Sequence, residues 1–201
     1  MPGKILLSTA YLPPIEYFAR ILNAKEVFIE REENYLKQSY RNRCYVLSAN
    51  GPHLLTVPVY LGSFHKTAVK DIRIDYSKRW QQVHIGALRA AYSSSPFFLY
   101  YFEDIEKVIV TEYKYLIDLN TDLLRVLLRI LSIDVKLSYT TDFMPSVNGE
   151  NDYRYSISPK KESGYIEKKY TQVFSDRNKF VKKLSIVDLI FNTGVDALNY
   201  L

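Results

Sequence analysis

The sequence predicts a single-domain α/β fold, with a mixed β-sheet that opens in an N-terminal β-α-β unit and a mostly helical C-terminal half. Three observations carry this expectation. Short apolar runs at Lys4–Ser8 and Glu26–Glu30 flank a stretch, 15–23, in which Ile15, Phe18 and Leu22 recur at helical spacing. Strand-like runs at 43–47 and 54–60 are split by Ala49-Asn50-Gly51-Pro52, a hairpin-turn signal. From Trp80 onward, long segments keep a 3.6-residue apolar period. The 201 residues suffice for one domain (1–201) with a real core, and 47% hydrophobic with 24% charged residues excludes global disorder.

Each element follows from local chemistry. Pro13-Pro14 suits a helix start, because proline presets φ and the first helical N–H has no partner anyway. Two strands joined by one helix imply a parallel pair with a right-handed crossover. In such units ligands bind beyond the carboxyl ends of the strands, so 9–14 and 31–34 border the expected cleft. A further strand is expected at 69–75, from the alternation of Lys70, Ile72 and Ile74 with Val69, Asp71, Arg73 and Asp75, reached through a loop at 61–67. Trp80, Val83, His84, Ala87, Leu88 and Ala91 predict a helix that Ser94-Ser95-Pro96 breaks, and Pro96 starts another through Phe102. In 112–131, Leu116, Leu119, Leu123, Leu127 and Ile130 share one face, opposite Lys114, Asp118, Asp122, Arg125 and Arg129. The region 139–169 reads as a mobile loop region, with loops at 145–152 and 158–164: a flap over a site or a plain insertion. A short apolar helix at 184–191 closes the chain, with Gly194 as its left-handed cap.

Composition bounds the function. A net charge of +5 favours anionic partners weakly, and interleaved acids and bases argue against nucleic acid. Cys44 is the single cysteine, which excludes an intrachain disulfide and fits a reducing cytoplasm. No run is long and apolar enough to predict a transmembrane segment or a secretion signal. Glycine-rich phosphate loops, His-Glu-x-x-His and Gly-x-Ser-x-Gly are absent, no metal site is expected, and nothing names a cofactor.

The block Lys37-Gln38-Ser39-Tyr40-Arg41-Asn42-Arg43 is the densest candidate for chemistry. Extended, it puts Lys37, Arg41 and Arg43 on one face, the arginines roughly 7 Å apart, an array suited to a carboxylate or phosphate. Helical, it keeps Lys37 and Arg41 together and turns Arg43 away. The structural alternative is a solvated, charge-guarded edge strand. His84, one turn after Trp80, is either a general acid/base or a buried histidine bonded to a carbonyl. Glu30, Glu32 and Glu33 could bind magnesium, but pairing with the arginines or solvation is expected. Cys44 reads as a small buried residue rather than a nucleophile. Asp188 is a lone carboxylate in an apolar helix and needs a partner, for which the arginines of the block are the expectation, with Ser185 and Asn192 on its face.

Several pieces, in order along the chain, carry a resemblance: Tyr11-Leu12-Pro13-Pro14-Ile15-Glu16-Tyr17-Phe18, the block 37–43, Val57-Pro58-Val59, Trp80 with His84, Ala91-Tyr92 through Pro96-Phe97-Phe98, and Leu184-Ser185-Ile186-Val187-Asp188-Leu189 with Asn192 and Gly194. Together they resemble the WbqC-like family of bacterial proteins, found in surface-polysaccharide (O-antigen) gene clusters. Thr9-Ala10 stands where many members carry glutamine-proline. The resemblance implies glycine, aminoacyl or related group transfer to surface glycans. An anionic amino-acid donor or nucleotide sugar is then held by Lys37, Arg41 and Arg43, with Asn42 orienting it or buttressing the loop and Trp80 stacking on it. His84 is the expected proton shuttle and Asp188 the expected positioner of an arginine. A non-catalytic anion- or partner-binding module is the other expectation. Arg41→Ala with Arg43→Ala is expected to abolish binding and leave the fold intact.

Overall fold

Lys4–Ser8 (β1) and Glu26–Glu30 (β2) pair in parallel, in register from Lys4↔Glu26 to Ser8↔Glu30, with Ile15–Ile21 (α1) between them. The β-α-β opening is therefore present with the expected strand bounds. The computed structural model describes residues 3–60, 66–143 and 151–201. A third strand was not expected: Lys136–Tyr139 (β5) joins the free side of β2 in parallel, giving the order β1-β2-β5. Its sequence, Lys-Leu-Ser-Tyr, has no apolar run, because this edge strand is only half-buried. On the other edge, Leu6 bonds the backbone of Asn151 and Tyr153 at 2.9 Å each, so the returning chain adds one further parallel rung to β1.

The second sheet is a hairpin of Arg43–Ser48 (β3) and Gly51–Thr56 (β4), separate from the parallel strands. Its turn is the two residues Ala49-Asn50, tighter than the four-residue signal suggests, and Pro52 already pairs with Leu47. The expected strand at 69–75 is instead a 3-10 turn, Val69–Asp71, followed by isolated bridges at Arg73 and Ile74. Backbone bonds from Val69 to Glu33 and from Lys70 to Arg31 capture the segment before it can pair along its length.

The helical half comprises Trp80–Tyr92 (α2), Phe98–Val110 (α3), Leu116–Ile130 (α4) and Ile186–Thr193 (α5). α4 buries Leu116, Leu119, Leu123 and Leu127, and its outer Arg125 and Arg129 pair with Asp122 and Asp104. In α2, Val83 is exposed, against expectation, while Trp80, His84, Leu88 and Ala91 are buried. α5 is capped by Ser185 and docks by backbone bonds on the loop before α1 and on β3: Ile186 to Pro13, Ile15 to Leu184, and Ser185 to Tyr45. The apolar faces of both sheets and of helices α1 to α5 meet in one core. No helix among the described residues is long and apolar enough to cross a membrane.

Candidate functional site

The parallel strands end on polar side chains: Ser8 at the end of β1 with Thr9 after it, Glu30 at the end of β2, and Thr140 after β5. This is the position the β-α-β opening points to. The block 37–43 lies here but is neither strand nor helix. Residues 37–42 form a turn, with Gln38 at φ 57°, and only Arg43 enters β3. The three cations therefore do not share one face. Lys37 is exposed, Arg43 is half-buried, and Arg41 is 3% exposed. The solvated-edge alternative fails at Arg41 too.

A buried guanidinium needs a partner. Arg41 donates to Glu33 through Nε (2.9 Å) and Nη2 (2.6 Å), and Nη2 also reaches Ser8 Oγ at 2.7 Å. Its Nη1 makes no bond to the described residues, and Arg41 lines a crevice with Ser8, Thr9, Ala10, Tyr153 and Arg154. That crevice encloses only about 10 Å³, room for roughly one water.

A second guanidinium, which sequence reasoning missed, completes the site. Arg154 is fully buried and donates to Glu30 at 2.9 Å and to Asp152 through Nε and Nη2 at 3.0 and 2.6 Å. Glu30 is further held by the Thr140 hydroxyl at 2.7 Å and the Glu32 amide at 2.8 Å. Ser8 Oγ donates to the Arg154 carbonyl, and the Tyr17 hydroxyl donates to the Ser8 carbonyl. Asn120, also missed, fixes the turn by donating to the Arg41 carbonyl and to Thr9 Oγ1. Three carboxylates, Glu30, Glu33 and Asp152, surround the guanidinia of Arg41 and Arg154, so this cluster offers an incoming anion directed hydrogen bonds and no surplus positive charge. The signal for Arg154 was the alternation Asp152-Tyr153-Arg154-Tyr155, hidden in a polar stretch that reads as a linker.

The remaining candidates lie elsewhere. Asn42 donates to the Val57 carbonyl at 2.9 Å and so braces the turn, while its Oδ1 is buried without a partner among the described residues. His84 is buried with Nδ1 2.8 Å from the Tyr11 hydroxyl, and Trp80 packs edge-on to it at 5.1 Å between ring centres. Burial lowers the His84 pKa to about 4, against the partial support of the Thr56 carbonyl, so the ring is neutral at physiological pH. Trp80 itself is buried against Tyr11, Tyr76 and His84, and its indole N–H has no partner among the described residues. Asp188 is fully buried, but its partners are not arginines. Tyr92 and Tyr170 donate their hydroxyls to it at 2.8 and 2.6 Å. Burial raises its pKa to about 6, held from going further by those two bonds. Tyrosine can supply a donor without adding a second buried charge, which explains the preference. Asn192 bonds the Asp188 carbonyl rather than its carboxylate.

Glu33 does pair with the block, as expected, and Cys44 is a buried residue whose thiol burial pushes well up. Among the described residues no cluster of histidine, cysteine and carboxylates is set to hold a metal. His65 and most of the loops expected at 61–67 and 145–152 lie outside the described residues. The crevice is lined by none of His84, Trp80, Arg43 and Asp188, and two larger grooves among the described residues, one beside the hairpin and one between α2 and α3, are lined by none of the expected site residues either.

An α/β protein whose polar residues converge at the carboxyl ends of a small parallel sheet is thus defined by its fold and site. The model of the WbqC-like protein family matches residues 9–164, and the chain belongs to that family. The match takes in the block, the crevice residues from Thr9 to Arg154, Trp80 and His84; the Leu184–Gly194 motif lies beyond it. The chain is also similar to the uncharacterized protein Rv1507c of Mycobacterium tuberculosis, 25% identical over 230 aligned positions, covering all of this chain and 98% of the relative. No solved structure matches.

Proposed function

We propose that the protein transfers a glycyl, aminoacyl or related group during assembly of bacterial cell-surface polysaccharide, acting in the cytoplasm on a small anionic donor or nucleotide sugar. The observation that carries this reading is Arg41: buried, held by Glu33 and Ser8, and lining the crevice beyond the parallel strands. Such a guanidinium offers a fixed donor to a carboxylate or phosphate, and its pre-set orientation lowers the entropy cost of binding. Lys37 and Arg43 on the same turn and strand would add charge at the mouth, with Asn42 bracing them. His84 in this reading moves a proton by way of Tyr11, Trp80 supports its ring, and Asp188 fixes the tyrosines that join the C-terminal helix to the body.

A second reading has one observation in its favour. His84 and Asp188 are both buried and neither lines the crevice, as suits a non-catalytic module that binds an anionic ligand or a partner enzyme of the same pathway.

Thermal-shift titration with UDP-sugars, glycine and aminoacyl-adenylate analogues separates the possibilities. A rise in Tm with one of these, lost in Arg41→Lys combined with Arg43→Ala, supports the anion site. Arg41→Lys is the informative change, because it keeps a charge beside Glu33. Unchanged affinity in that variant sinks the proposal. Turnover of the bound donor that disappears in His84→Gln while binding persists favours the transferase over the module.

A further inference from the structure

We propose that residues 151–167 form a strap that must swing off the crevice before a ligand reaches Arg41, with Arg154 as its latch. The proposal rests on the crevice being the ligand site. Its two walls come from different parts of the chain: Ser8, Thr9, Ala10 and Arg41 from the body, and Tyr153, Arg154 and Ile157 from the strap. Between them the crevice encloses about 10 Å³, whereas ligand pockets typically measure ~300–1,000 Å³. A group the size of a sugar or a phosphate cannot enter with the strap down.

The strap is built to lift. It contains no helix and no strand beyond the single rung at Leu6. Across 151–167 only Arg154 and Glu167 are buried, and the apolar hold on the core comes from the partly buried Tyr153, Ile157 and Tyr165. Segments with few buried apolar contacts open at a fraction of the global unfolding free energy. Its fastenings besides the latch are mainly polar: the Leu6 rung, Lys160 to the Gln38 side chain, Ser163 to Glu16 at 2.6 Å, Lys183 to the Lys161 carbonyl and to Glu162 and Glu167, and Arg20 lying over the Tyr153 and Tyr165 rings at 4.8 and 5.7 Å.

Release of the latch parts Arg154 from Glu30, and each side keeps other partners. Arg154 carries its own counter-ion, because Asp152 grips it at two nitrogens and travels on the same strap. Glu30, left behind, keeps the Thr140 hydroxyl and the Glu32 amide. Opening also frees Ser8 Oγ from the Arg154 carbonyl, beside the Arg41 guanidinium.

Thiol labelling tests this without any ligand. Native Cys44 is 1% exposed and lies outside the crevice, so it reports larger unfolding events. Ala10→Cys puts a thiol in the crevice wall. With iodoacetamide and mass-spectrometric readout, the introduced thiol is expected to react at least about tenfold faster than Cys44, as sub-global opening requires. Lys160→Ala with Ser163→Ala should speed the introduced thiol further and leave Cys44 unchanged. Equal rates at the two positions, or indifference to both strap substitutions, overturn the proposal. Should Ala10→Cys fail to fold, hydrogen exchange in the unmodified protein decides the same question. The Tyr153 amide, bonded to Leu6, should exchange about tenfold or more faster than the β2 amides, and equal protection refutes the strap. Neither measurement involves donor binding, so the strap and the anion site can fail independently.

Discussion

Arg41 shows what burial does to a residue that looks like a ligand receptor. Its guanidinium and the Glu33 carboxylate are both nearly inaccessible and 2.6 Å apart. Arg41→Ala therefore leaves Glu33 charged in a low-dielectric site, and should cost about 3–5 kcal/mol of stability in urea denaturation. The expectation that such a change spares the fold does not survive this geometry. Replacing both partners, Arg41→Met with Glu33→Gln, should recover most of the loss, because no uncompensated charge remains. Asp188 and His84 set the pH response in opposite directions. The folded-state pKa of Asp188, about 6, lies above its ordinary value of 3.8, so its contribution is present below pH 3.8 and is lost as pH rises through 6. That of His84, about 4, lies below 6.5, so its contribution is present above pH 6.5 and is lost as pH falls through 4. Between pH 4 and 6 the two slopes nearly cancel. Asp188→Asn should unmask the histidine, giving a loss of a few kcal/mol on acidification from pH 6.5 to 4 that chemical denaturation at several pH values would measure.

At the scale of elements, α5 depends on how it ends. Gly194 has φ +57°, and a Cβ there would sit 2.5 Å from the Phe97 ring. Gly194→Ala should destabilise by about 1–3 kcal/mol through overpacking and backbone strain, and Phe97→Leu in the same chain should relieve part of it, as paired melting curves would show. The close approach of Phe97 binds the end of α5 to the start of α3, reinforced by the Phe97 amide on the Phe191 carbonyl. Much was legible: β1 and β2 follow from short apolar runs, and the buried leucines of α4 from helical period. β5 and the 69–75 segment were not. A four-residue half-buried edge has no periodicity to read, and an alternating pattern says nothing about which backbone groups will capture it first.

Across the whole molecule, a few side chains join distant parts of the chain. The Tyr92 hydroxyl accepts from the Leu47 amide of β3 and donates to Asp188 of α5, both at or below 2.9 Å. Tyr92→Phe leaves a buried amide unpaired and removes one donor from the carboxylate, so a loss of about 1–3 kcal/mol is expected, seen as a lower urea midpoint with an unchanged slope. The proline motif before α1 and the Leu184-Ser185 motif before α5, far apart in sequence, exchange backbone bonds directly.

The β-α-β opening, the amphipathic helices and the hairpin were readable from residue order, because each follows from short apolar runs, helical period or turn chemistry. What the charged residues do was set by three-dimensional packing. Whether Arg41 faces solvent or Glu33, whether Asp188 meets an arginine or two tyrosines, and whether a polar stretch near 154 is a linker or the second wall of a crevice all depend on how distant parts of the chain come together. A charge enters the interior only where a partner waits, and no pattern of local periodicity shows which partner that will be.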